Sequence, residues 1–260
     1  YDGHGSVLFT GYYTPIFSAS TIRGGRFQHP LYKRPDDLIS GPDGKTVAQQ
    51  RLSDGSTRPY PTRAELETSG ALEGLELVWL ADPFEAYVLQ VQGSGRLRLP
   101  DGRMMEVGYA GTNGHDYKAI GYELIDDGRL AKEDLDLDSL RSYFRQHPDL
   151  LREYTHRNPR YVFFRQESGG PYGSLGQPVV PDVSIATDKA IFPRGALCWV
   201  ETELAAPTLR PYAAFRLDQD TGGAIRAPGR CDLYMGVGRA AELRAGKQMA
   251  DGGLYYLVAK

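Results

Sequence analysis

The sequence predicts a mainly β fold that carries one helical patch. Thirty-one glycines and 17 prolines punctuate many short apolar segments. Those segments are rich in β-branched and aromatic residues, as strands joined by turns are. Only between His115 and Thr155 do apolar residues recur three and four apart, the spacing of helices that face a core.

Taken in chain order, 7–13, 75–80, 86–92, 161–165, 196–201 and 254–259 are expected as strands, because each is dense in Val, Ile, Tyr, Phe or Trp. Segments 117–124 and 135–143 are expected as helices. Between Pro35 and Arg63 the chain is dense in Pro, Gly, Asp and Ser with little periodicity, and a long surface excursion is expected there. No internal repeat or low-complexity tract occurs.

At 260 residues the chain can form one large domain or two of ordinary size. Its 33 acidic and 30 basic residues leave a net charge of −3 and no broad cationic field, so no nucleic-acid partner is expected. No run approaches the roughly 20 apolar residues that cross a bilayer, so no transmembrane segment is expected. The chain begins at Tyr1 without a methionine or a charged-then-apolar leader, which suggests that an N-terminal piece has been removed. Two cysteines, Cys198 and Cys231, lack the number and spacing of a zinc site. Buried free thiols are the expected state and a disulfide is the alternative; neither metal nor cofactor is expected.

Three aspartates have distinctive settings: Asp188 in Ala186-Thr187-Asp188-Lys189, Asp220 in Gln219-Asp220-Thr221-Gly222-Gly223-Ala224-Ile225, and Asp232 in Arg230-Cys231-Asp232-Leu233-Tyr234. Alternating apolar neighbours would fix Asp232 on a rigid strand, beside a loop whose Gly222 and Gly223 let a bulky ligand approach the backbone. An isolated Asp before glycine usually just caps a turn. Asp220-Thr221-Gly222 also matches the Asp-Thr-Gly triplet of aspartic proteases, but such an enzyme needs two carboxylates and only one copy is present.

The order and spacing of the three aspartates resemble the three-aspartate domain of lytic transglycosylases. Thr10-Gly11-Tyr12-Tyr13-Thr14-Pro15, Gln90-Val91-Gln92-Gly93-Ser94-Gly95 and Tyr109-Ala110-Gly111-Thr112-Asn113-Gly114-His115 are similar to signatures of the membrane-bound lytic murein transglycosylase A family. Nearly the whole chain shares in the resemblance. It implies a double-psi β-barrel built from residues 1–20 and 165–260, a second, mostly β domain with a few helices inserted at 21–164, and a substrate groove between them.

On this resemblance Asp232, Asp220 and Asp188 are the catalytic candidates. Thr14, Tyr13, Gln90, Gln92, Gly93, Ser94, Tyr109, Asn113, Gly114, Gly222, Gly223 and Ala224 are the candidates for binding glycan, for which amides, hydroxyls and flat rings are suited. His115 reads as a helix cap or structural donor in preference to a base. The implied reaction cleaves peptidoglycan between N-acetylmuramic acid and N-acetylglucosamine without water. Protonated Asp232 gives its proton to the glycosidic oxygen, then takes one from the sugar's C6 hydroxyl, which closes a 1,6-anhydro ring.

The resemblance further implies a monomer in the periplasm, tied to the outer membrane by an N-terminal lipid, with peptidoglycan strands and cell-wall synthesis proteins as partners. Two alternatives stand beside it: an inverting polysaccharide hydrolase on the same barrel, with Asp232 as acid and Asp220 or Asp188 as base, and a non-catalytic module that binds cell-wall glycan.

Overall fold

A computed structural model describes residues 5–41, 46–205 and 209–259. The chain adopts the mainly β architecture expected of it, divided into two compact units. One comprises Tyr1–Ile16, Ser94–Arg96 and Glu167–Lys260; the other comprises Phe17–Gly93 and Leu97–Gln166.

The first strand, β1 (Val7–Thr14), belongs to the first unit and ends at Pro15, which has no amide to continue a ladder. The chain then builds the second unit. Its six-stranded sheet runs β10-β9-β8-β2-β7-β3, from β2 (Ile16–Ser20), β3 (His29–Tyr32), β7 (Glu76–Leu80), β8 (Gly95–Arg98), β9 (Met104–Thr112) and β10 (Val162–Glu167). Against it pack α2 (Pro83–Gln92), α3 (Ile120–Asp126), α4 (Leu137–Gln146) and α5 (Pro148–Arg157), around buried Leu80, Phe84, Leu89, Leu97, Leu124 and Phe144.

Segment 86–92, expected as a strand, lies inside helix α2. Its start and stop residues outweigh its β-branched content: Asp82 accepts hydrogen bonds from the amides of Phe84 and Glu85, Pro83 opens the first turn, and Gly93 closes the helix at φ 77°. The expected helices 117–124 and 135–143 correspond to α3 and α4, each displaced toward the C-terminus. His115 opens no helix; its Nε2 lies 2.8 Å from the carbonyl oxygen of Tyr60.

The stretch from Pro35 to Arg63 is more than a surface excursion. It forms a three-stranded sheet of β4 (Leu38–Ile39), β5 (Gln49–Arg51) and β6 (Thr57–Pro59). It also buries Leu38, Ala48 and Tyr60 with Leu66 of α1 (Arg63–Ser69), Tyr161 and Phe163. Helix α1 carries a full capping box between Thr62 and Glu65.

The chain returns to the first unit with β11 (Ser184–Ala186), β12 (Leu197–Ala205), β13 (Leu209–Asp220), β14 (Arg230–Val237), α6 (Arg239–Lys247) and β15 (Met249–Tyr256). With β1 these strands close a six-stranded barrel in the order β1-β14-β11-β13-β12-β15, in which β1 lies parallel to β14 and β11 parallel to β13. Closure leaves no open edge. A fully buried row of Phe9, Cys231, Ile185, Cys198 and Val200 lines it, and both cysteines are free.

The last strand starts five residues earlier than expected because Gly252 and Gly253 fit within it. Gly252 pairs with Val7, where a side chain would strike the backbone of Glu201. Among the described residues no helix is long and apolar enough to cross a membrane.

Candidate active site

The site grows from strand alternation. On β1, Thr10 and Tyr12 point away from the row that contains Phe9; on β14, Asp232 and Tyr234 point away from Cys231 and Leu233. Parallel pairing sets Thr10 opposite Asp232 and Tyr12 opposite Tyr234.

The Thr10 hydroxyl donates to Asp232 Oδ1. Arg230, two residues earlier on the same face, donates from Nε to that oxygen at 3.1 Å and from a second nitrogen to Thr10 Oγ1 at 3.1 Å. The Asp232 side chain is 14% exposed, and its Oδ2 accepts no hydrogen bond among the described residues. One oxygen is anchored and the other remains available.

Asp220 ends β13. The parallel register with β11 slips here: Ile185 pairs with Asp218 and Ala186 with Asp220, so Gln219 is an extra, bulged residue. Without the bulge, Asp218 and Asp220 would share a face, since side chains alternate with period two. With it, Asp218 is fully buried while Asp220 turns to the side of Asp232.

Asp220 accepts from Thr221 N at 2.8 Å, Ser174 N at 2.9 Å and the Tyr12 hydroxyl at 3.1 Å. Burial pushes its pKa up to about 6, against these three donors and the charge of Lys189, which all pull it down. Tyr12 in turn is held well above the usual phenol range by burial and then by Asp220. Its ring packs 5.1 Å from that of Tyr234.

Asp188 is buried and holds loops together. Its Oδ1 accepts from Ala190 N at 2.9 Å, and its Oδ2 accepts from Ala227 N at 3.0 Å. The second bond fixes the end of the glycine-rich loop, where Ala227 sits at φ 77°. In that loop Gly222 and Gly223 are half-buried, Ala224 is exposed, and buried Ile225 anchors the turn.

The remaining sequence candidates divide by availability. Thr14 and Tyr13 are buried, with hydroxyls bonded to Tyr234 at 2.8 Å and Glu242 at 3.0 Å. Gln90 is buried in the second unit, where Oε1 accepts from Arg63 at 2.8 Å.

Asn113 donates to the carbonyls of Pro61 and Pro159 and accepts from Tyr161 N, so its whole amide is committed to the scaffold. Gly114, at φ 74°, lies against the backbone of Thr46. Gln92, Gly93 and Ser94 are half-buried at the end of α2, and Tyr109 is 44% exposed on β9. Thr10, Tyr12 and Arg230 lie inside the quoted motifs but are not among the sequence candidates, although period-two alternation from Thr10 to Thr14 and from Arg230 to Tyr234 carries the signal.

The chain as a whole matches a known family. The MltA specific insert domain matches residues 8–165, and the 3D domain matches residues 183–258. Membrane-bound lytic murein transglycosylase A of Escherichia coli K12 is 33% identical over 252 residues, covering 94% of this chain. The chain spans 64% of that relative's length.

Among solved structures, a membrane-bound lytic murein transglycosylase from Agrobacterium tumefaciens superposes with a TM-score of 0.88 at 28% identity, covering 97% of this chain and 73% of its own. E. coli MltA with bound chitohexaose superposes with a TM-score of 0.80 at 30% identity, covering 99% and 74%. The chain belongs to the membrane-bound lytic murein transglycosylase A family.

Proposed function

We propose that this chain is a peptidoglycan lytic transglycosylase that uses Asp232 as acid and then as base, on a double-psi barrel. The observation that carries the reading is a half-buried carboxyl on a rigid strand, anchored through Oδ1 and open at Oδ2. Protonated Asp232 gives its proton to the oxygen between N-acetylmuramic acid and N-acetylglucosamine, and that bond breaks. The carboxylate then takes the proton of the muramic C6 hydroxyl, whose oxygen bonds to the anomeric carbon. Because this second step is intramolecular, a high effective molarity favours it over attack by water.

Arg230 and Thr10 stabilise the charge on Asp232 between the two steps. Tyr12 and Asp220 flank the reacting sugar, and Asp188 holds the glycine-rich loop beside it. The relatives' names favour a murein substrate in the cell envelope, with lipid anchoring and cell-wall synthesis partners as further parts of this reading.

A second reading has one specific observation in its favour. In an inverting hydrolase Asp220, pushed up to about 6, takes the acid's place that the resemblance assigns to Asp232, and Asp232 activates water.

Digestion of purified peptidoglycan in H2(18)O, read by mass spectrometry, separates the readings. Anhydro-muropeptides free of heavy oxygen, lost in Asp232→Asn, are expected. Labelled reducing ends would establish hydrolysis, and binding without soluble product would establish a binding module.

A further inference from the structure

Behind Asp220, on the opposite side of the bulge, lies a buried ion pair that the reaction does not use. Asp218 is fully buried and its Oδ1 meets the ammonium of Lys189, whose side chain is 5% exposed. Asp218 Oδ2 accepts from Thr187 Oγ1 at 2.7 Å and from the Tyr256 hydroxyl at 2.6 Å. Lys189 also donates to Thr187 Oγ1 at 2.9 Å. Tyr256 is held in turn by a parallel stack with Phe192, at 4.7 Å between ring centres.

Thr187 ties this cluster to the site. Its amide donates to the carbonyl of Asp220 at 3.2 Å, and its carbonyl accepts from Thr221 Oγ1 at 2.9 Å. Asp218 itself is pinned by Gly195 and Ala196, through bonds of 2.8 and 2.9 Å on its carbonyl and amide.

A buried ion pair is a poor source of stability, because desolvating two charges offsets most of their attraction. Well-packed apolar residues would hold a barrel wall as firmly. A specific pairing does make one choice that apolar residues leave open: it requires Asp218, and not its neighbour two positions on, to face inward.

We propose that Lys189 and Asp218 are a positioning pair that fixes the Gln219 bulge and thereby presents Asp220, with its loop, to the side of Asp232. The proposal rests on the site assigned above, and the titration part of its test needs no activity. Beyond placement, the ammonium of Lys189 acts through space on Asp220 and favours its ionised form. The charged and titratable groups around Asp220 are Tyr12 from β1, Asp232 and Tyr234 from β14, and Lys189 from the turn after β11.

The test compares Lys189→Met, Lys189→Arg and the charge-balanced Lys189→Met/Asp218→Leu. The readouts are the 13C carboxyl titration of Asp220 in the free protein, the melting temperature, and kcat and KM on peptidoglycan. Lys189→Met is expected to move the Asp220 midpoint upward from about 6. The double variant is expected to fold and to lose kcat by about 10²-fold, the scale of an ångström misplacement, with KM little changed, whereas Lys189→Arg keeps most of kcat.

An unmoved midpoint in Lys189→Met, or wild-type kcat in a folded double variant, would overturn the proposal, whatever happens to the melting temperature. If the transglycosylase reading itself fails, the midpoint still shifts although no variant, nor the wild type, releases product.

Discussion

Asp232 and Asp220 lie at one rung of the barrel, on the two strands that flank β11, and each has Ala186 as its register partner. Facing residues of paired strands share a side of the sheet, so both carboxyls emerge over the same small side chain. They differ in what holds them. Arg230 and Thr10 anchor Asp232, while Asp220 is held by two backbone amides and a phenol.

The Arg230 guanidinium is expected to matter for turnover more than for folding, since its side chain is 34% exposed. Arg230→Met should lower kcat on the order of tenfold through loss of a charge-assisted bond, with KM and melting temperature almost unchanged. Steady-state digestion of muropeptides checks this, and an unchanged kcat would remove Arg230 from the site.

Tyr12→Phe deletes a hydrogen bond that favours ionised Asp220. The Asp220 midpoint should therefore rise above about 6, and the fold should lose about 1 kcal/mol. A 13C carboxyl titration and urea unfolding measure the two effects. A midpoint that stays or falls would mean that the phenol does not donate to Asp220 in solution.

Stability should record Asp220 as well. Its folded pKa, about 6, lies above the unfolded value of 3.8, so folding binds a proton. The resulting stabilisation is complete below 3.8 and is lost as the pH rises through about 6. Asp220→Asn removes this dependence while keeping an oxygen for the two amides. Its melting temperature relative to wild type should be higher at pH 8 than at pH 5; an equal difference at both would show that Asp220 is not shifted.

Gly11→Ala is expected to destabilise the barrel by about 1–3 kcal/mol, the usual range for overpacking. A Cβ there would stand 2.7 Å from the Cα of Ala245, and backbone cannot yield as a flexible side chain does. Helix α6 would have to lift from β1. Chemical denaturation is the measure, and unchanged stability would show that α6 has room to move.

The mainly β architecture, the strands β1, β7, β10 and β12 and the family are legible from the chain alone, because these rest on local composition and on short motifs that survive without knowledge of contacts. The helix from Pro83 to Gln92 is legible too, in the capping signals of Asp82, Pro83 and Gly93, which outweigh its β-branched content. Tertiary structure alone decided which acid faces where.

Thr10 and Asp232 are 222 positions apart, and Tyr12 and Asp220 are 208 apart, so their meeting depends on strand register that no local pattern specifies. A single bulged residue, Gln219, separates a carboxyl buried against Lys189 from one that turns toward Asp232. Asn113 and Asp188, polar residues suited on paper to touching a ligand, are instead committed to backbone groups, since a buried donor or acceptor must find a partner wherever the fold provides one.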